Sequence, residues 1–143
     1  MDTVIPIKGV KLKNLRIIPH PKGDILNVAK ASEVNMTQFK EIYITIIKHN
    51  EIKGWKLHKR MMCNFVVPMG EVKFVLTKDK KSFFEIILSR KNYKLLSVPP
   101  GIWFAFQGLG EGENFVINLA TLEHDPEESI SIELNEIDYF GKI

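Results

Sequence analysis

The punctuation of this chain constrains its fold more than any other feature. Short β-branched and aromatic runs recur about every ten residues, each bounded by Gly, Pro, Asn or Asp. The runs are Leu15 to Ile18 before Pro19, Ile42 to Ile47, Asn64 to Val67 before Pro68, Val72 to Leu76, Phe84 to Leu88, Leu95 to Val98, Trp103 to Leu109 and Asn114 to Leu119. Between them lie Pro21-Lys22-Gly23-Asp24, Met69-Gly70, Lys78 to Lys81, Arg90-Lys91-Asn92, Pro99-Pro100-Gly101 and Gly108 to Gly112. These groups supply residues that tolerate the backbone angles of turns. Many short strands on short turns must bury their apolar faces against a second sheet or close on themselves, so the pattern predicts an all-β sandwich or barrel. One brief helical turn is predicted over Ser32 to Phe39, with Ser32 as cap and Glu33 near the positive helix end.

The runs Val72 to Leu76 and Phe84 to Leu88 do not separate cleanly into polar and apolar positions. Such strands fill a core with one face and meet a second sheet or subunit with the other, so a dimer is expected. A chain of 143 residues is long enough for one continuous core and too short for two, so residues 1–143 are read as a single domain. The 20 Lys and Arg against 17 Asp and Glu are scattered rather than run together, which argues against nucleic-acid binding. The slight positive excess suits an anionic small molecule such as a nucleotide diphosphate. Cys63 stands alone, so no internal disulfide is expected, and no apolar run approaches the roughly 20 residues needed to span a bilayer. With no signal-peptide pattern at the start, the expectation is a cytoplasmic protein that is not in a membrane. Asn35-Met36-Thr37 matches a glycosylation sequon and, without secretion, is read as chance. From about His124 onward the chain turns acidic and is read as a tail or a wrap-around arm.

Several blocks carry a family resemblance. Ile52-Lys53-Gly54-Trp55-Lys56-Leu57-His58-Lys59, followed by Asn64 to Lys73, resembles the first conserved block of the dTDP-4-dehydrorhamnose 3,5-epimerase family. Val98-Pro99-Pro100-Gly101-Ile102-Trp103-Phe104-Ala105-Phe106 resembles its Pro-Pro-Gly block, and His20-Pro21-Lys22-Gly23-Asp24 its N-terminal Asp-x-Arg-Gly turn. The blocks stand in the family's order and span most of the chain. The resemblance implies a cupin jelly-roll β-barrel with very little helix, a strand-sharing homodimer, and a deoxythymidine diphosphate sugar bound in the barrel mouth. It also implies a reaction in which a His removes a proton next to the sugar's 4-keto group and a Tyr opposite returns one. Two proton carriers must then face one carbon from opposite sides.

The sequence departs from that frame at both carriers. The family's His falls on Lys56, and no Tyr stands among Phe115 to Asn118, where the family's Tyr belongs. A lysine acts as a base only where burial or neighbouring cations pull its pKa well below about 10.4. Related sugar 3,4-ketoisomerases carry Gly-His-x-His, and His58 matches the second His. His58 is therefore the candidate base; otherwise it is a strand histidine that bonds a neighbour or lines a pocket. Lys56 is read as a contact to substrate phosphate or carbonyl, or as a solvated charge, and Tyr43 as an acid or donor facing into the barrel. Lys22, Arg60 and Asn64 are candidates for binding substrate, with Arg90 a further substitute; Lys22 keeps the charge of the family's Arg but loses its bidentate fork. Trp103 and Phe104 are candidates for stacking on a base or sugar, or for packing alone.

Metal cupins use a His-x-His pair, a later Glu and a final His, and the corresponding places here are Lys56, His58, Asn64 and Phe104. One imidazole and one amide do not make a transition-metal site, so neither metal nor cofactor is expected. His124-Asp125-Pro126 is expected to shape a turn. Phosphate loops, nucleophile elbows and Cys-x-x-Cys pairs are absent from the sequence. Two functions follow from the resemblance: a sugar-nucleotide epimerase or isomerase acting on a dTDP-4-keto-6-deoxyhexose in deoxysugar biosynthesis, or a non-catalytic sugar-nucleotide binding protein or partner subunit of the same fold.

Overall fold

Period-two runs and turn groups alternate along the chain, and in the computed structural model they build two antiparallel five-stranded sheets packed face to face. The structure describes residues 5–33 and 39–141. The first sheet has the order β1 (Lys11–Asn14), β9 (Lys94–Val98), β6 (Cys63–Met69), β11 (Asn114–Ala120) and β4 (Glu41–Ile47). The second has the order β12 (Ser129–Ser131), β5 (Ile52–His58), β10 (Trp103–Gly108), β7 (Glu71–Thr77) and β8 (Phe84–Ser89). A separate short hairpin joins β2 (Ile17–Ile18) to β3 (Ile25–Leu26). From β4 to β12 nearly every connection crosses from one sheet to the other, which is jelly-roll connectivity. Helix among the described residues is confined to two 3₁₀ turns, Pro126–Glu128 and Leu134–Glu136. Residues 34–38 of the expected helical turn, and the sequon Asn35-Met36-Thr37, lie outside the described residues.

Between the sheets, alternate residues of each strand meet in one core that includes Phe65, Val67, Phe74, Leu76, Phe104 and Val116. Phe65 packs on Phe74 and Phe104 with ring centroids 5.2 and 5.3 Å apart. Two predicted strand ends differ. β6 runs through Pro68 to Met69 instead of stopping before the proline, and its register with β11 shifts between Phe115 and Ile117. Such an irregularity accommodates a residue that cannot donate to the ladder. The run Leu15 to Ile18 contributes only its last two residues to the hairpin, because Leu15 still follows the β1–β9 register and donates to the Tyr93 carbonyl at 3.1 Å.

Each sheet is also partly covered on its outer face. The β2–β3 hairpin brings Ile17, Leu26 and Val28 onto Val66, Tyr93, Leu95 and Leu119 of the first sheet. The acidic stretch after β11 is a wrap-around arm. Asp125 caps the first 3₁₀ turn by accepting from the Glu127 amide at 3.0 Å, with Pro126 inside the cap, so His124-Asp125-Pro126 shapes a turn as expected. The arm then adds β12 to the edge of the second sheet and lays Ile137, Tyr139 and Phe140 over Trp55 and Val75. The poor alternation of Val72 to Leu76 thus has a cause within the chain: Val75 faces outward and is covered by the arm.

Candidate active site

The site begins with an irregularity in β5. Residues three apart on a regular strand point to opposite faces, yet Lys53 and Lys56 line the same cavity. Phe104 of β10 pairs with Lys56 and Ala105 with Gly54, so Trp55 is the extra residue of a bulge. Gly54 permits it: its φ is +153°, and a Cβ there would lie 2.4 Å from the Ala105 Cβ. The bulge turns Trp55 outward and leaves Lys53, Lys56 and His58 on the cavity side, His58 buried and Lys53 exposed with its Nζ donating to the Ile46 carbonyl at 2.8 Å.

The cavity between β4, β5 and β10 measures about 230 Å³. Tyr43, Thr45, Lys53, Lys56 and His58 form its polar wall, and Phe65, Phe104 and Phe106 its apolar one. Phe104 stacks on the His58 ring, centroids 5.9 Å apart and planes 16° from parallel. That contact holds the imidazole against rotation.

His58 is 5% exposed and Glu128 of the arm 3% exposed, and His58 Nδ1 hydrogen-bonds Glu128 Oε1. The other carboxylate oxygen, Oε2, accepts from the backbone amides of Arg60 and Met61, each at 3.1 Å. Burial pushes the Glu128 carboxyl up, but the His58 bond and the two amides outweigh it and leave it below the usual carboxylate range. Burial lowers the His58 pKa; Glu128 opposes this, and the nearby Lys56 charge adds to it. A carboxylate on Nδ1 makes that nitrogen the proton carrier of the neutral ring. Nε2 is left with its lone pair and, among the described residues, no protein partner.

Tyr43 is tied in from the other sheet. The Asn118 side-chain amide donates to the Tyr43 hydroxyl at 2.8 Å, leaving the phenolic proton free to be donated. Burial raises the Tyr43 pKa, only partly offset by that bond, so the phenol is protonated at neutral pH. Asn118 Oδ1 in turn accepts from the Asn64 backbone amide at 3.0 Å.

The structure brings Tyr43, Lys56, His58 and Phe104 together in the cavity and places the other candidates elsewhere. Asn64 shares the outward face of β6 with Val66; its side chain donates to the Leu119 carbonyl at 2.9 Å and accepts from Ser97 Oγ at 2.6 Å. Trp103 lies on the outward face of β10 under Lys80, 5.2 Å from the ring centroid. Arg60 is exposed and pairs with Asp125 at 3.2 Å, and Arg90 pairs with Asp24 at 2.8 Å. Lys22 sits exposed in the β2–β3 turn, which His20 and Asp24 close through their own hydrogen bonds. Sequence reasoning missed Glu128 altogether. Its only signal was the capped Asp-Pro-Glu-Glu turn, since it lies 70 residues from His58. Among the described residues no three His, Cys, Asp or Glu side chains converge on a metal-sized site.

Residues 8–135 match the family described as FdtA: WxcM-like, C-terminal. The chain belongs to this family. Among solved structures, a dTDP sugar isomerase from Desulfovibrio desulfuricans is 28% identical, with 96% of this chain and 94% of that chain covered and a TM-score of 0.90. The WlaRB TDP-quinovose 3,4-ketoisomerase from Campylobacter jejuni is 23% identical over 92% of this chain and 98% of its own, with a TM-score of 0.73. ChmJ, a 3'-monoepimerase from Streptomyces bikiniensis, is 10% identical over 94% and 76%, with a TM-score of 0.81. The last two share the fold. Comparison with curated proteins gives no match. The cupin-type jelly roll implied by the sequence blocks is therefore the fold of this WxcM-like chain, and no helix among its described residues is long and apolar enough to cross a membrane.

Proposed function

We propose that this protein is a cytoplasmic, single-domain sugar-nucleotide isomerase or epimerase, acting on a dTDP-4-keto-6-deoxyhexose or a close relative in deoxysugar biosynthesis. The observation that carries the proposal is the buried Glu128–His58 pair presenting an imidazole to a cavity that also holds Tyr43 and Lys56. At about 230 Å³ the cavity is smaller than the roughly 300–1,000 Å³ of whole-ligand pockets, so it takes the sugar ring and leaves the nucleotide outside the mouth. His58 Nε2 removes the proton from C3, next to the ketone. The Lys56 ammonium stabilises the negative charge that develops on the C4 oxygen, and the Tyr43 phenol donates a proton. Protonation of that oxygen gives the enediol, and return of a proton to C4 with loss of the O3 hydroxyl proton gives the 3-keto sugar, whereas protonation of C3 from the opposite face gives the epimer. The isomerase name of the 28% identical relative fits either outcome.

The test is proton NMR of the protein with dTDP-4-keto-6-deoxyglucose in deuterated buffer. Protein-dependent exchange at C3, with new sugar signals and loss of both in His58→Ala, is expected. Ligand line broadening without exchange would make the protein a non-catalytic binder, and neither signal would remove the substrate class.

We further propose a homodimer formed through β4. This edge strand turns Ile42, Ile44 and Ile46 outward, 53%, 59% and 43% exposed, beside an apolar hollow lined by Phe39, Val28, Ile117 and Leu119. An open apolar edge is complementary to a two-fold copy of itself and hazardous if left bare. Sedimentation should give a dimer for the native chain and a monomer for Ile44→Lys; a monomeric native chain would refute it.

A further inference from the structure

The arm after β11 touches both faces of the sheet that carries the site. At its start Glu128 enters the barrel to meet His58, while Asp125 pairs with Arg60 and the Glu128 carbonyl accepts from the Lys59 amide at 2.7 Å. In its middle, β12 sets Ser129 beside His58 and Ser131 beside Lys56. Next, Ile132 and Trp55 exchange two backbone hydrogen bonds, of 3.1 and 3.2 Å. At its end, Trp55 Nε1 donates to the Leu134 carbonyl at 3.2 Å. Tyr139 meets the indole edge-on at 6.3 Å and Phe140 packs on it at 5.5 Å, with Lys73 over both rings.

The start of the arm does not hold itself. A three-residue strand and two single-turn 3₁₀ helices are too short to persist alone. Burying the Glu128 carboxylate opposes docking unless its partners are already in place. What remains to hold the arm is its far end, where Trp55 and Ile137 are buried and Tyr139 and Phe140 close over the indole. The anchor is also mechanically tied to the site, because Trp55 is the bulge residue between Lys53 and Lys56. The bulge that sets the lysines on the cavity side sends the indole out.

We propose that the Trp55–Tyr139–Phe140 cluster on the outer face is a latch that positions the base: by holding the arm in register it keeps Glu128 on His58 Nδ1 inside the barrel. Tyr139 and Phe140 are then positioning residues that never touch substrate. The catalytic consequence rests on the reading of His58 as base; the coupling from latch to imidazole does not.

The experiment compares the full native chain with Tyr139→Ala/Phe140→Ala and with Tyr139→Phe, which keeps the ring. The first readout is the far-downfield proton resonance of the His58 Nδ1–Glu128 hydrogen bond, the second is cleavage of the arm by a glutamate-specific protease, and the third is C3 exchange. In the double variant the resonance should vanish and the arm become cleavable, with exchange slowed roughly 100-fold at little change in KM. Tyr139→Phe should match the native chain in all three. Neither ring belongs to the core between the sheets, so the barrel should still melt cooperatively; the milder Phe140→Leu serves if the double variant fails to fold. An unchanged His58 resonance in a variant whose arm has become cleavable overturns the latch. Loss of the resonance in a protein that shows no exchange even in native form leaves the latch standing and removes the proposed reaction.

Discussion

Glu128→Gln is the most informative single substitution, because it keeps the shape of the side chain and inverts one hydrogen bond. Oε2 accepts from two backbone amides, those of Arg60 and Met61, while Oε1 faces the His58 ring. A glutamine has one oxygen, and two fixed N–H donors require it on the Oε2 side. Its NH₂ group then points at Nδ1 and donates, so Nδ1 must accept and the ring proton moves to Nε2. The imidazole stays in place as the wrong tautomer, unable to take a proton from the cavity. General-base catalysis contributes about 10²–10⁴ in rate, and the loss should be of that order. The equivalent tautomer inversion in a Ser-His-Asp triad costs about 10⁴. Stability should fall by only about 1–3 kcal/mol, since both amides keep an acceptor that has merely become neutral. Glu128→Ala, which leaves both amides and the ring N–H without a partner in the interior, should cost about 3–5 kcal/mol. The assay is deuterium exchange at C3 of dTDP-4-keto-6-deoxyglucose, with urea unfolding of the same samples. A Glu128→Gln protein that is folded and exchanges within threefold of the native rate would refute the tautomer argument.

Three further outcomes follow from the same structure. The folded-state pKa of His58 lies below the ordinary value of about 6.5 through burial, and that of Glu128 below about 4.3. Both groups therefore bind protons more readily unfolded, so urea midpoints should be level between about pH 6.5 and 8, fall as the pH drops toward the depressed His58 value, and fall again below about pH 4.3; midpoints that rise on acidification below neutrality would contradict this. Gly54→Ala should destabilise by about 1–3 kcal/mol or more, because its Cβ would sit 2.4 Å from that of Ala105 and the bulge cannot move without displacing Lys53 or Lys56; thermal unfolding at native-like stability would show the bulge to be soft. Tyr93→Phe should be neutral or stabilising by up to about 1 kcal/mol, since the Tyr93 hydroxyl is buried with no partner among the described residues, and a loss above that in urea unfolding would reveal one.

Most of the fold was legible because strand periodicity and turn chemistry are local. The runs from Ile42 to Ile47 and from Val72 to Leu76 needed one residue or less at each end to become β4 and β7. What was not legible depends on counting faces or on distance. Asn64 and Trp103 stand out by their place in a motif, yet on strands only every second residue reaches the cavity, and those are their neighbours Phe65 and Phe104. The bulge at Trp55 could not be read from β5 alone, because it exists only against the register of β10. Glu128 reaches His58 through an arm whose path is set by aromatic contacts about ten residues further on, so no local pattern announces it.

β4 shows how a departure from simple patterning carries functional information. A strand whose only task is to fold the chain turns its apolar residues to the core and its polar ones to water. Here Ile42, Ile44 and Ile46 face out, while Tyr43 and Thr45 face into the barrel. The inverted pattern sacrifices core burial on both faces at once, which the rest of the fold must offset. An inward polar face supplies donors to a ligand, and an outward apolar face awaits a partner surface. If β4 is where both meet, anything that loosens the proposed dimer should also shift Tyr43 and weaken its bond to Asn118, and Ile44→Lys should lower exchange at C3 as well as dissociate the dimer. A monomeric Ile44→Lys protein with native exchange would show that the two faces of the strand act independently.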